Sequence, residues 1–130
     1  MTTYSKWLLR IAALYSLIGG FMGSDLAGRK DFTMVPAHAH ILVVGWLTLF
    51  AYGIFYYLFA NTISMKKTAK LQAWTSMIGG GLMPISMLLY YKMPGTLSMV
   101  TFIVLGSVLL VGIALFTVLL FFDKQLFAKK

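Results

Sequence analysis

Two histidines, His38 and His40, are the residues of this chain best suited to chemistry. They are the only histidines among the 130 residues, and they lie near the start of the longest charge-free run, residues 32–65. A neutral imidazole in an apolar environment must form hydrogen bonds or bind a ligand, because an unpaired polar group there costs on the order of several kcal/mol. We interpret the pair as metal or haem ligands. The alternative is an interfacial pair that hydrogen-bonds to loop backbone or lipid headgroups.

The spacing of the two histidines decides how they could act. On an α-helix, residues two apart are separated by about 200° of rotation and about 3 Å of rise. His38 and His40 therefore cannot chelate one ion together; each would supply one ligand to a different site on its own flank of the helix. Because the chain has no third histidine and no cysteine, a second chain must complete either site. Haem is favoured over zinc or copper, since the surroundings are apolar and aromatic and contain no carboxylate or thiol.

The composition is typical of a small polytopic membrane protein. Hydrophobic residues make up 60% of the chain and charged residues only 11%, which predicts a single all-α membrane domain over residues 1–130. The net charge of +8 comes from lysines and arginines that flank apolar runs. Such residues follow the positive-inside rule and contact anionic lipid, so nucleic acid is not the predicted partner.

The apolar runs predict an integral membrane four-helix bundle. The helices are expected at about residues 7–23, 35–60, 71–91 and 97–122. A polar loop is predicted at residues 24–33, and Pro36 suits the first turn of the second helix. The glycines at 79–81, followed by Pro84, predict a kink or a narrow waist in the third helix.

The positive charges predict the orientation of these helices. Eight of them flank one side of the predicted membrane: Lys6, Arg10, Lys66, Lys67, Lys70, Lys124, Lys129 and Lys130. The other side has only Arg29, Lys30 and Lys92. This asymmetry predicts a bacterial inner-membrane protein with both termini in the cytoplasm and the histidine pair near the outer face.

The segment around the histidines resembles a known family. Residues 37–45, Ala-His-Ala-His-Ile-Leu-Val-Val-Gly, are similar to the His-x-His helix of the catalytic subunit of haem-copper oxygen and nitric oxide reductases. In that subunit the two histidines bind different haem irons, and the helices form three arcs of four. The resemblance implies that this chain is one such arc and that a homotrimer, rather than a dimer, is its natural assembly. His38 of one chain and His40 of the next would then hold one b-type haem.

Further residues follow from this resemblance. Arg29 and Lys30 are predicted to contact haem propionates, which point outward in the family, through charge-assisted hydrogen bonds. Gly45 could admit a porphyrin face or pack helices together. Trp46 could contact a haem edge or pack in the membrane.

Three other side chains near the pair are weaker candidates. Asp25 and Asp31 could orient an imidazole through its second nitrogen; otherwise they are loop residues. Met34, four residues before His38, is an alternative axial ligand.

The predicted function is electron transfer or redox sensing by a membrane haem protein, with a possible redox partner. Two imidazoles leave no open position at the iron, and the chain has no further histidines for a copper site. Two alternatives stay open. One is a haem- or metal-centred oxidoreductase acting on oxygen, nitric oxide or quinone, so whether the protein is an enzyme is undecided. The other is a non-redox transporter or an assembly factor for an oxidase.

Overall fold

Apolar runs separated by short polar turns fold into four long helices. The computed structural model describes residues 2–128, and this part of the chain contains helices and no strand. The helices are α1 (Thr3–Arg29), α2 (Val35–Phe59), α3 (Lys66–Lys92) and α4 (Thr96–Phe122). The predicted all-α class is confirmed. Three of the helices, α1, α2 and α4, are long and apolar enough to cross a membrane, as expected for a multi-pass membrane protein.

The third predicted span differs from the other three. Helix α3 is not among the helices that qualify as spans by hydropathy, because lysines, Gln72, serines and glycines dilute its apolar residues. It is also the helix with the most buried residues, and it lies between α4 on one side and α1 and α2 on the other. Its small and polar residues face the neighbouring helices, where they permit close packing, whereas large apolar residues such as Trp74 and Leu82 are exposed.

The polar loop predicted at residues 24–33 is shorter than expected, because α1 continues to Arg29. An i,i+4 ion pair between Asp25 and Arg29 supports the added turns on their exposed side. The helix ends at Lys30, which adopts the left-handed conformation (φ 53°) and donates its backbone N–H to carbonyls of the last turn. The connection to α2 is therefore only a few residues long.

Helix α2 is not a uniform α-helix. It is α-helical over Val35–His40, π-helical over Ile41–Thr48 and α-helical again over Leu49–Phe59. Pro36 occupies the first turn, as predicted. Within the π segment the Thr48 hydroxyl donates to the Val43 carbonyl, five residues back, at 2.8 Å. π-Helices are rare and occur frequently at functional sites, and this one starts immediately after His40.

Glycines set the closest helix contacts. A Cβ on Gly79 would lie 2.5 Å from the backbone nitrogen of Leu109 in α4, and one on Gly80 would lie 2.8 Å from a methyl group of Leu49 in α2. The narrow waist predicted for α3 is thus where α2 and α4 both approach it. Pro84 lies inside the continuous helix. Among the described helices, the backbone of α4 approaches only α3, and α4 reaches α2 through the ring of Phe116 against Tyr52 and Phe55. Because α4 does not approach α1, the four do not form a closed square bundle.

An aspartate at the end of α4 holds the start of α3. The Asp123 carboxylate accepts the backbone N–H groups of Ser64 at 2.8 Å and Met65 at 2.9 Å, together with the Ser64 hydroxyl at 2.7 Å. Burial by itself raises the pKa of Asp123, but hydrogen bonds from Met65, Ser64 and Gln125 outweigh it and lower the pKa below its ordinary value. The charge also lies at the N-terminus of α3, where the helix dipole favours an anion.

Asp123→Asn should therefore reduce the free energy of unfolding by about 1–3 kcal/mol, because part-buried N–H and O–H donors lose a charged acceptor. The same change at the exposed Asp25, which forms only a surface ion pair, should cost no more than about 0.5 kcal/mol. Thermal unfolding in detergent at about pH 7 compares the two variants. Equal melting temperatures for Asp123→Asn and the wild type would show that this contact does not stabilise the fold.

The same carboxylate predicts a pH dependence. Its pKa in the folded protein is lower than the value of about 3.9 for an unfolded aspartate. The stabilisation is therefore present above about pH 4 and is lost as the pH falls through the folded pKa. The difference in melting temperature between wild type and Asp123→Asn should shrink in that acidic range.

Candidate functional site

The two histidines point to different flanks of α2, as their spacing predicts. The His38 ring packs against Gly23 of α1. His40 instead lines a shallow cleft on its own helix, together with Ala39, Val43 and Val44. Val43 is exposed on this surface, so His40 lies on the side of α2 that no other helix of the chain covers. One imidazole thus faces its own chain and the other faces outward.

A backbone carbonyl fixes the tautomer of His40. Its Nδ1 atom lies 2.8 Å from the carbonyl oxygen of Pro36. A carbonyl can only accept, so Nδ1 carries the hydrogen, and in the neutral ring Nε2 keeps the lone pair. Histidines that ligate metals typically donate their other ring N–H to a carbonyl or carboxylate in this way. His40 is therefore held in the tautomer and orientation of a ligand through Nε2.

His38 occupies space that only a glycine leaves open. A Cβ at Gly23 would lie 2.8 Å from Cε1 and 3.2 Å from Nε2 of the ring. Nδ1 of His38 is buried and has no hydrogen-bond partner in residues 2–128. An unsatisfied buried nitrogen costs about 1–3 kcal/mol. The described residues therefore provide no hydrogen-bond partner for this nitrogen.

A small cavity borders His38 where α1 ends and α2 begins. Its volume is about 180 Å³ and its lining includes Gly23, Leu26, Ala27, Asp31, Phe32 and Val35. The His40 cleft has a similar volume of about 190 Å³. Pockets that enclose drug-sized ligands usually measure about 300–1,000 Å³. Neither space could enclose a porphyrin within one chain, and the exposed Phe32 and Val35 leave an apolar rim that a second chain could cover.

The nearby aspartates do not contact the histidines. Asp31 Oδ1 accepts the Thr33 hydroxyl at 2.7 Å and the Thr33 N–H at 2.9 Å. These hydrogen bonds, the hydroxyl first, lower the pKa of Asp31, so its carboxylate is ionised at neutral pH. Asp25 pairs with Arg29. The orienting role expected for Asp25 or Asp31 is thus absent from the hydrogen bonds of the described residues.

The two predicted propionate partners lie at the same end of the molecule as His38. Arg29 and Lys30 are exposed at the end of α1, directly before Asp31 of the His38 cavity. Arg29 already binds Asp25, whereas Lys30 forms the helix cap with its backbone. Neither side chain lines the cavity, and their contact with a cofactor stays a prediction.

The other predicted residues have distinct environments. Gly45 is buried, and a Cβ there would lie 2.5 Å from the ring of Tyr15 in α1. Within the chain this glycine serves helix packing, the alternative that the sequence left open. Trp46 is 40% exposed and is available to a cofactor or a neighbouring chain. Met34 caps α2 and accepts the His38 backbone N–H at 2.9 Å; its role as a ligand stays a prediction.

The residues of the His38 cavity that the sequence did not assign to the site are Gly23, Leu26, Ala27, Phe32 and Val35. Gly23 had a visible signal, its Gly-xxx-Gly spacing from Gly19. That spacing suggests close helix packing, but it does not reveal that an imidazole fills the space.

Residues 2–128 contain no group of three or more histidine, cysteine, aspartate or glutamate side chains that could hold a metal ion. The predicted metal-binding role therefore has no support from a cluster within one chain. A haem differs from a bare ion, because the porphyrin supplies four nitrogens and the protein adds only the axial ligands. No protein-family model, no curated protein and no solved structure matches the chain.

Proposed function

We propose that the protein is a membrane b-type haem protein, with His38 of one chain and His40 of the next holding a shared haem for electron transfer or redox sensing. The observation that carries the proposal is the state of the two imidazoles on opposite flanks of α2. His40 keeps Nε2 free while Pro36 fixes its tautomer, and His38 has a buried nitrogen without a partner. His40 fits a ligand to a group outside its own chain, and His38 borders the cavity at the end of α1, which a second chain could cover.

The bound haem would supply reversible one-electron chemistry at its iron. The chain's own residues would position it. The Pro36 carbonyl holds the His40 ring in the ligand tautomer, and Gly23 gives the His38 ring its place beside α1. The apolar rim formed by Phe32 and Val35 would exclude water from the site. A dry surrounding of this kind tunes the potential of the iron.

The opposite directions of the histidines favour a ring of three chains. In a ring, the cavity beside His38 would meet one neighbour and the uncovered flank of α2 at His40 would meet the other. A two-fold dimer would have to bury both surfaces in a single interface. The open arrangement, in which the α4 backbone contacts α3 alone, supports an arc like those of the haem-copper oxidase catalytic subunit over a closed bundle.

The proposed location is a bacterial inner membrane, with both termini in the cytoplasm and the histidines near the outer face. The asymmetry of positive charge supports it. Two of the eight lysines and arginines in that count, Lys129 and Lys130, lie outside the described residues. Without them, the remaining six (8 − 2) still exceed the three on the other side.

The test is an absorption spectrum of the detergent-purified protein, oxidised and dithionite-reduced, with pyridine haemochrome quantitation. We expect the sharp reduced bands of six-coordinate haem b, unchanged by carbon monoxide, at about one haem per chain. A colourless protein, or clearly less than one haem per chain, would contradict the shared site. A spectrum shifted by carbon monoxide would instead favour the oxidoreductase alternative, because it requires an open position at the iron.

A further inference from the structure

A groove far from the histidines runs between α1 and α3, near the N-termini of both helices. Its volume is about 560 Å³, within the range of about 300–1,000 Å³ that ligand pockets usually have. Thr3, Trp7 and Ile11 line it from α1, and Lys70 and Trp74 line it from α3. These two helices contact each other less extensively than each contacts its other neighbours, which leaves the groove open at the side.

The groove is polar at one end and apolar along its length. On α3 its wall includes Met77 and a row of residues four apart: Lys70, Trp74, Ile78 and Leu82. The twelve residue steps from Lys70 to Leu82 correspond to about 18 Å of helix, the scale of a lipid acyl chain within one leaflet. Trp7 and Trp74 flank the polar end, each about half exposed. Tryptophan is enriched at the headgroup level of membranes, so the polar end suits the bilayer surface.

The charge at the polar end is positive. Lys70 lines the groove, and the Arg10 guanidinium lies 5.3 Å from the ring centre of Trp7 on the opposite wall. The lining contains no carboxylate. Of the three acidic residues in the chain, Asp123 is engaged by Ser64 and Met65, and Asp25 and Asp31 lie at the other end of α1. An anion at the headgroup level is therefore the complementary ligand.

We propose that this groove binds an anionic phospholipid. The headgroup phosphate contacts Lys70, and one acyl chain lies along Ile78 and Leu82 while the other stays in the bilayer. The two tryptophans enclose the junction between headgroup and chain. This site is independent of the haem, since no groove residue belongs to the histidine region.

Native mass spectrometry of the full-length protein tests the site with two probes of identical acyl chains, phosphatidylglycerol and phosphatidylcholine. We expect wild type to retain phosphatidylglycerol preferentially, and Lys70→Gln to lower its binding about tenfold, because a charge-assisted hydrogen bond is lost. Lys67→Gln is the matched control: it removes the same charge at the same end of α3 without lining the groove. Ile78→Trp, at an exposed position, should weaken both lipids by filling the acyl path.

Three results would overturn the proposal. Equal retention of the two lipids by wild type would exclude recognition of the charge. Equal losses in Lys70→Gln and Lys67→Gln would assign the effect to general surface charge. Dissociation of an oligomer by Ile78→Trp, with lipid binding unchanged, would make the groove a contact between chains.

Discussion

Neither His38→Ala nor His40→Ala should bind haem when expressed alone, whereas co-expression of the two variants should restore about a quarter of the wild-type haem. Each variant loses one of the two axial ligands at every interface. In a mixed assembly, an interface regains both ligands when His38 comes from a His40→Ala chain and His40 from a His38→Ala chain. With random mixing, each of these conditions is met about half the time, which gives the quarter.

This recovery separates a shared site from a site within one chain. If both histidines served the same chain's cofactor, no mixture of the variants could assemble a complete site. The measurement is the haem-to-chain ratio of the co-expressed, differently tagged variants. Tandem affinity purification then keeps only mixed trimers, in which one of the three interfaces is complete, so the ratio should rise to about a third. Haem that stays absent from stable mixed oligomers would contradict the alternating arrangement. A single variant with an unchanged spectrum would show that its histidine is not a ligand.

The spacing of nearby residues was enough to predict the helices and the opposite directions of the two histidines. The 3.6-residue helical repeat alone places His38 and His40 on opposite flanks, and the structure has them there. Runs of apolar residues likewise predicted the four helices and the position of Pro36. These features depend on neighbours a few residues apart, which a single sequence displays directly.

The features that the sequence did not predict depend on distant residues. The Asp123 carboxylate accepts a hydrogen bond from Ser64, 59 positions away, and neither segment contains a sequence signal for this contact. Tyr15 fills the space over Gly45 for the same kind of reason, since helix packing decides which side chain enters a gap. The π segment that follows His40 has no proline and, apart from Thr48, no polar residue, so the sequence there gives no local signal for it.

The sequence misplaces the end of α1, because its last turns are polar and are held by local ionic and cap interactions. Asp25, Arg29 and Lys30 were assigned to a loop because they are polar, yet the ion pair and the left-handed cap extend α1 past Asp25 to Arg29. This extension matters for the site. It carries α1 alongside the first turn of α2 and so brings Gly23 to the ring of His38.

Gly23→Ala should weaken haem binding about 10- to 100-fold, the usual cost of disturbing the groups that position a metal ligand. The added Cβ would lie 2.8 Å from Cε1 of His38, closer than side-chain carbons approach one another. Backbone of α1 cannot yield easily here, because Gly19 and Gly45 also hold α1 tightly against α2. The imidazole must therefore turn or shift, and the ring nitrogen that would ligate the haem iron is displaced.

Gly20→Ala is the matched control, because a Cβ at Gly20 meets nothing within 4 Å. Both substitutions replace a glycine in α1 by alanine and raise helix propensity by about 1 kcal/mol, so neither should lower the stability of the helix itself. Haem titration of the apoproteins, with melting temperatures recorded alongside, compares them. Wild-type affinity in both variants would show that His38 does not bind haem from its place beside Gly23. A selective loss in Gly23→Ala, with α1 intact, would tie the cofactor to the imidazole whose buried nitrogen has no partner among the described residues.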